Sequence, residues 1–171
     1  SLQISKEIND NKGIASSLHS CGLVFYAKGN YDKIFEYLEK SYELHKKLNN
    51  KWGLNNYYNS LSLNFNKMGN YKKALEFNQH YMNMSKELES YSNFANALHV
   101  RGMIYVLQGE YNNAISVLEE CLRMQKDFFS SYNLEVNTLL ALSKKNLHEY
   151  YDITDISRMA NDAQLETVWA G

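Results

Sequence analysis

The strongest constraint on this chain is that it repeats itself. Gly29-Asn30-Tyr31 returns as Gly69-Asn70-Tyr71 and again as Gly109-Glu110-Tyr111, forty residues apart each time. The same offset aligns Lys6, Lys46, Lys86 and Lys126, and it aligns Ile4, Leu44, Met84 and Met124. Ile8, Leu48, Leu88 and Phe128 form a further apolar column, and Tyr151 extends the tyrosine column into a fourth unit whose turn glycine is Glu149. A fixed period of this length is the mark of a stacked array, in which each unit shares its core with its neighbours.

Inside one period the apolar spacing is helical. Leu18, Cys21, Phe25 and Tyr26 mark one face, and Tyr31, Ile34, Leu38 and Tyr42 mark another, in steps of three and four. Glycine just after each first run is a helix stop. The pattern predicts helix pairs at 14–28 and 31–49, 54–68 and 71–89, 93–108 and 111–128, then 133–147 and 151–165. The fold class is therefore all-α, an α-solenoid of antiparallel helix pairs.

The order Gly22, Phe25, Gly29, Tyr31, Ile34 resembles the tetratricopeptide repeat. Closer still are Leu61-Ser62 with Phe65, Gly69, Tyr71 and Ala74, and Gly102 with Tyr105, Gly109, Tyr111 and Ala114. The period of forty exceeds that family's usual 34 residues, and a lysine column replaces the proline that usually follows the second helix. Both departures resemble the long-helix subgroup seen in kinesin light chains and in bacterial and archaeal signalling proteins. The resemblance implies a right-handed superhelix whose first helices line a concave groove for protein or peptide partners. On this reading 1–13 is a partial repeat, 14–50, 51–90 and 91–130 are full repeats, 131–165 is a degenerate repeat or cap, and 166–171 is a tail. Because Ser1 falls midway through a unit, the chain is expected to be a fragment of a longer protein.

Within such a groove, Ser16, Asn56 and Asn96 share one column and His19, Asn59 and His99 the column three residues later, with Leu23, Leu63 and Met103 one turn on. Asparagine donates and accepts hydrogen bonds at once, which suits an extended peptide backbone. These nine residues are the candidate peptide-binding site. A carboxylate clamp, which needs lysine and asparagine a turn apart, is not evident, since His19 is followed by Leu23 and Asn59 by Leu63. Gly22, Ser62, Gly102, Ala74 and Ala114 read as small packing residues, and the tyrosines at 31, 71, 111 and 151 as wedges between helices.

Other chemistry finds little support. His19 and His99 lie two repeats apart, roughly 20 Å at the usual ~10 Å helix spacing, so no shared metal is expected. His45, His80 and His148 are isolated, no nucleophile elbow or phosphate loop is present, and neither catalysis nor a cofactor is expected. A net charge of −1 gives nucleic acid or an anionic membrane no hold. No apolar run reaches membrane-span length. Cys21 and Cys121 stand a hundred residues apart, which suggests no disulfide framework and fits a reducing, cytoplasmic compartment. The leading expectation is a scaffold or sensor that binds a partner's peptide. The alternative is a structural spacer or self-association element, pairing through uncapped ends and attached to a catalytic or DNA-binding domain elsewhere.

Overall fold

The computed structural model of the chain describes residues 10–27, 31–125 and 135–148, with the side chains of 23–27, 31 and 125 excepted. The elements are α1 (Asn11–Ala27), α2 (Tyr31–Lys47), α3 (Lys51–Lys67), α4 (Tyr71–Glu87), α5 (Tyr91–Gln108) and α6 (Tyr111–Gln125), followed by α7 over 135–148. The expected helix at 151–165, with Tyr151, lies outside the described residues, as do 1–9 and the tail.

The start and end of each helix have separate local causes. Helices α3 and α5 begin three and two residues earlier than the apolar pattern suggests because each has an N-cap. The Asn50 side chain accepts from the Gly53 amide at 3.1 Å and Ser90 Oγ accepts from the Asn93 amide at 3.4 Å. Asn70 does the same for α4 at the Lys73 amide. The first helices of the middle pairs stop at Gly69 and Gly109, both left-handed with φ of 73° and 75°. The second helices stop without glycine: Asn49 and Glu89 adopt φ of 49° and 50°. The second helices thereby end at Lys47 and Glu87, two residues short of the expected 49 and 89.

Helices pack as sequential antiparallel pairs, α1 with α2, α3 with α4 and α5 with α6. The backbones of α1 and α3 also touch, as do those of α3 and α5, whereas α2 and α4 do not. Odd-numbered helices therefore crowd together on the inner side of a curve and even-numbered helices splay on the outer side. Aromatic rings occupy the wedge so opened. Phe35 meets Phe65 at 5.2 Å, Phe65 stacks on Phe77 at 5.4 Å, and Tyr57 meets Tyr42 at 4.6 Å. The expected tyrosine column contributes less. Tyr71 packs beside Ala74, Val100 and Ile104, and Tyr111 is half-buried.

The three small residues of the repeat each face the second helix of their own pair. Ile34, Leu38, Ala74, Ala114 and Leu118 are fully buried there. The middle pair is more polar than its neighbours. Asn55 and Asn78 stand where the flanking repeats have alanine and leucine, and both are fully buried. Their amides are paired: Asn55 Nδ2 donates to Ser85 Oγ at 3.3 Å and Asn78 Nδ2 to the Ala97 carbonyl at 2.9 Å. Arg101 Nε in turn donates to Asn78 Oδ1 at 2.9 Å. Ser62 Oγ donates to the Ala74 carbonyl at 3.0 Å.

In α7 the phase of the repeat slips. At an offset of forty the small position would fall on Leu142, but Leu142 is 45% exposed and Ser143 is fully buried. Val136 is likewise fully buried, one residue beyond the forty-residue register of Ala15, Asn55 and Ala95. The reason is the apolar pattern of α7 itself, Val136, Leu139, Leu140, Ser143, which fixes the buried face independently of the turn before it.

A Cβ built on Gly102 would lie 2.4 Å from Leu118 Cδ2, while one on Gly22 meets Leu38 at an ordinary 3.5 Å. Gly102→Ala is therefore expected to cost ~1–3 kcal/mol from overpacking, whereas Gly22→Ala is neutral or gains up to about 1 kcal/mol of helix propensity. Urea denaturation of the two variants checks this; equal effects would show that the close approach is not what sets the cost.

Candidate functional site: the inner face of the odd-numbered helices

The nine candidate residues fall on the inner helices α1, α3 and α5, but they differ in what they offer. Ser16 and Asn56 are exposed. Leu63 and Met103 are half-buried against the cluster of Ala74, Val100 and Ile104. Asn96 accepts from the Tyr81 hydroxyl at 3.2 Å, which ties it to α4. The side chain of Leu23 lies outside the described residues.

The histidine column bridges successive inner helices. His19 Nε2 lies 3.1 Å from Ser60 Oγ on α3, and His99 Nε2 lies 3.5 Å from Glu135 Oε1 on α7. His99 is buried, covered by α7 rather than open to a groove. By register Asn59 occupies the same position between α3 and α5. Burial holds the His19 and His99 side chains below the ordinary histidine pKa; the nearby His45 adds to the effect at His19, and Glu135 opposes it at His99. His45, packed against Gly53 and 3.1 Å from Asn50 Nδ2, is lowered by burial as well.

Several buried polar atoms lack a hydrogen-bond partner: His19 Nδ1 and the Oδ1 atoms of Asn59, Asn64 and Asn66. Asn59, Leu63 and Asn66 follow one another by four and three residues, so two unpartnered acceptors share one stripe of α3 with an apolar residue between them. Asn64 stands off that stripe, its Nδ2 donating back to the Ser60 carbonyl at 2.7 Å. The sequence reading missed Asn66 and also Leu107, which lies one turn beyond Met103 and is 54% exposed. Continuing the three-and-four spacing past Leu63 and Met103 identifies both.

Across these columns (16/56/96, 19/59/99, 23/63/103 and 26/66/106) no side chain other than histidine is ionisable near neutral pH. These four columns carry no fixed charge, whereas Lys67 stands in the column of Leu107 and Glu135 beside His99. A buried carbonyl oxygen without a donor costs on the order of 1–3 kcal/mol, and the Oδ1 atoms of Asn59, Asn64 and Asn66 are shut off from solvent as well as unpartnered. Among the described residues no three His, Cys, Asp or Glu side chains gather to hold a metal, and no helix is long and apolar enough to cross a membrane. The Cys121 thiol donates to the Ala95 carbonyl at 3.2 Å, and burial pushes its pKa up to about 11, so it is an inert packing group.

Antiparallel helix pairs stacked in sequence, with small residues at each crossing, define an α-helical repeat solenoid. The tetratricopeptide repeat family matches residues 13–87 and again 53–127, and the chain belongs to that family. Its repeats generally serve as protein-interaction scaffolds and are not catalytic by themselves. No curated protein matches the chain. Three of the solved structures that share the fold are these. The N-terminal domain of stress-induced protein-1 from C. elegans is 17% identical with a TM-score of 0.56, covering 76% of this chain and 97% of that one. A protein described as a kinesin light chain, with nearly identical repeats, from Podosopora anserina is 15% identical at 0.64, covering 97% and 83%. A signal transduction ATPase with a tetratricopeptide repeat sensor from Pyrococcus horikoshii is 18% identical at 0.69, covering 96% of this chain; the chain spans only 27% of that protein's length.

The three depressed histidines bind protons more readily in the unfolded chain than in the folded one. Their contribution to stability is full above the ordinary value of 6.5 and is lost as pH falls below it. The melting temperature is expected to drop between pH 7.5 and 5.0, and less so in the His19→Gln variant, as followed by circular dichroism. Identical pH profiles for the two proteins would remove His19 from this account.

Proposed function

We infer that the chain captures an uncharged, partly apolar segment of a partner protein along its inner face and acts as a scaffold or sensor module. The observation that carries this is the uncharged mixture of polar and apolar side chains along the inner face, where Ser16 and Asn56 are exposed and Leu63 and Met103 half-buried. Exposed hydroxyl and amide groups pair with a peptide backbone, and the apolar column beside them takes its side chains. Ser16, Asn56 and Asn96 extend the polar edge, Met103 and Leu107 the apolar one. His19 and His99 act mainly as braces between inner helices. A reducing, cytoplasmic setting suits the two free thiols. Within the family, the forty-residue period fits the long-helix branch, alongside the kinesin-light-chain and archaeal sensor folds that the chain resembles.

Because the four columns themselves carry no fixed charge, binding is expected to depend only weakly on salt. Selection of a displayed peptide library on the purified chain supplies ligands for the test. The double variant Ser16→Ala, Asn56→Ala should weaken selected peptides by about ten-fold or more, at ~1 kcal/mol per lost hydrogen bond. It should leave the melting temperature unchanged. Undiminished affinity, or affinity that collapses between low and high salt, would remove the inner face as the site.

A further inference from the structure

Two histidines join the first helix pair to the second, whereas the same positions of the next joint carry Asn59 and Ser85. His19 on α1 reaches Ser60 of α3 at 3.1 Å. His45, near the end of α2, is buried, and its ring lies so close to α3 that a Cβ on Gly53 would overlap it.

The hydrogen bonds of Asn50 fix the proton on the His45 ring. Asn50 Oδ1 accepts from the Gly53 N–H at 3.1 Å and so caps α3. Its Nδ2 is then left for His45 Nδ1, 3.1 Å away. An amide nitrogen only donates, so Nδ1 accepts and the ring carries its proton on Nε2. Turning the amide over would offer Oδ1 to a protonated Nδ1, but its NH2 would then face the Gly53 N–H. The helix cap and the neutral histidine therefore exist together.

Among the described residues no carboxylate bonds this ring. From α1 it is faced by His19, and a charge on His45 disfavours one on His19; Asp10 and Lys12 at the start of α1 are exposed. On α2, Glu43 and Lys47 are exposed, and Lys46 Nζ lies 5.7 Å from the centre of the Tyr42 ring. On α3, Lys51 is engaged by Glu87 of α4. Burial holds His45 below its ordinary value of 6.5. The capped state is thus complete above that value and is lost as pH falls below it.

We propose that His45 and Asn50 form a proton-operated latch: protonation of His45 Nδ1 drives the Asn50 amide off the Gly53 N–H, frees the first turn of α3 and loosens the first helix pair from the second. The proton comes from solvent and takes the lone pair to which Asn50 Nδ2 now donates. The close fit of the ring against Gly53 leaves it no sideways escape, so the strain falls on the cap. One repeat later Ser90 caps α5 at the Asn93 amide, and Ser85 Oγ donates to the Tyr81 carbonyl. Neither group titrates, which confines the response to one joint. The latch does not depend on the inner-face reading.

NMR of the whole chain tests it. The ring ¹⁵N shifts of His45 should report the Nε2–H tautomer at pH 7.5, and an Nδ1–H ring would overturn the proposal. Between pH 7.5 and 5.0, hydrogen-exchange protection of Gly53 and Leu54, corrected for intrinsic rates, should fall by about five-fold, as for a lost cap. Asn93 and Phe94 at the start of α5 should change less. In His45→Gln, whose side-chain oxygen still accepts from Asn50, the fall at Gly53 should vanish. Asn50→Asp keeps a capping oxygen and gives the protonated ring an acceptor, so it should also abolish the fall while raising the His45 pKa above 6.5. Equal loss of protection at Gly53 and Asn93, or a fall that persists in Asn50→Asp, would show that the latch is not the responding element.

Discussion

The geometry of the whole array follows from how closely the two helices of a pair approach at one point. Gly22, Ser62 and Gly102 stand at that point in successive first helices, and the second helix answers with Leu38, Asn78 and Leu118, all fully buried. At Gly102 the approach leaves no room for a methyl group. A tight crossing on one side and splayed outer helices on the other give the array its curvature. The rings of Phe35, Phe65 and Phe77 then fill the outer gap rather than form a separate core. A helix pair of about 17 residues each way buries too little by itself to be stable, so the crossing and the stacking depend on each other.

Most of this was legible in the sequence because a forty-residue period constrains many positions at once. The helix pairs, their order and the small residues at the crossing follow from aligned columns, and the inner location of α1, α3 and α5 from the family resemblance those columns carry. Helix ends were less legible, because they are set by single side chains. Asn50 and Ser90 cap α3 and α5 through one hydrogen bond each, and Asn49 and Glu89 turn the chain in a conformation in which glycine is the usual residue. The slip at α7 was hidden for a related reason. Tyr151 keeps the forty-residue register in the sequence, yet the burial of Ser143 rather than Leu142 shows that α7 answers to its own apolar face. A column identifies a repeat only while the turns between its members keep their length.

The candidate site was legible in part. Residues at positions 16, 56 and 96 and their successors share columns by register, and the family resemblance placed those columns on the inner face. What register cannot show is which polar atoms are already used. The Tyr81 hydroxyl satisfies Asn96, Ser60 engages His19 and Glu135 approaches His99, so three members of the apparent ladder belong chiefly to the scaffold. Asn59 and Asn66 differ because their Oδ1 atoms are buried without donors, and burial of that kind appears only once the neighbouring helices are in place.

The middle repeat carries a further lesson about why such an array has a defined order. In a column where its neighbours have leucine it has Asn78, and in a column where they have alanine it has Asn55. Each substitution introduces a buried amide that is unfavourable unless matched, and each is matched by a residue particular to the adjoining helix: Ser85 for Asn55, Arg101 and the Ala97 carbonyl for Asn78. An apolar seam accepts many neighbours, whereas an amide seam accepts the one that completes its hydrogen bonds. The polar seam thus fixes α5 onto α4 in a single register and prevents the second unit from exchanging places with the first or third.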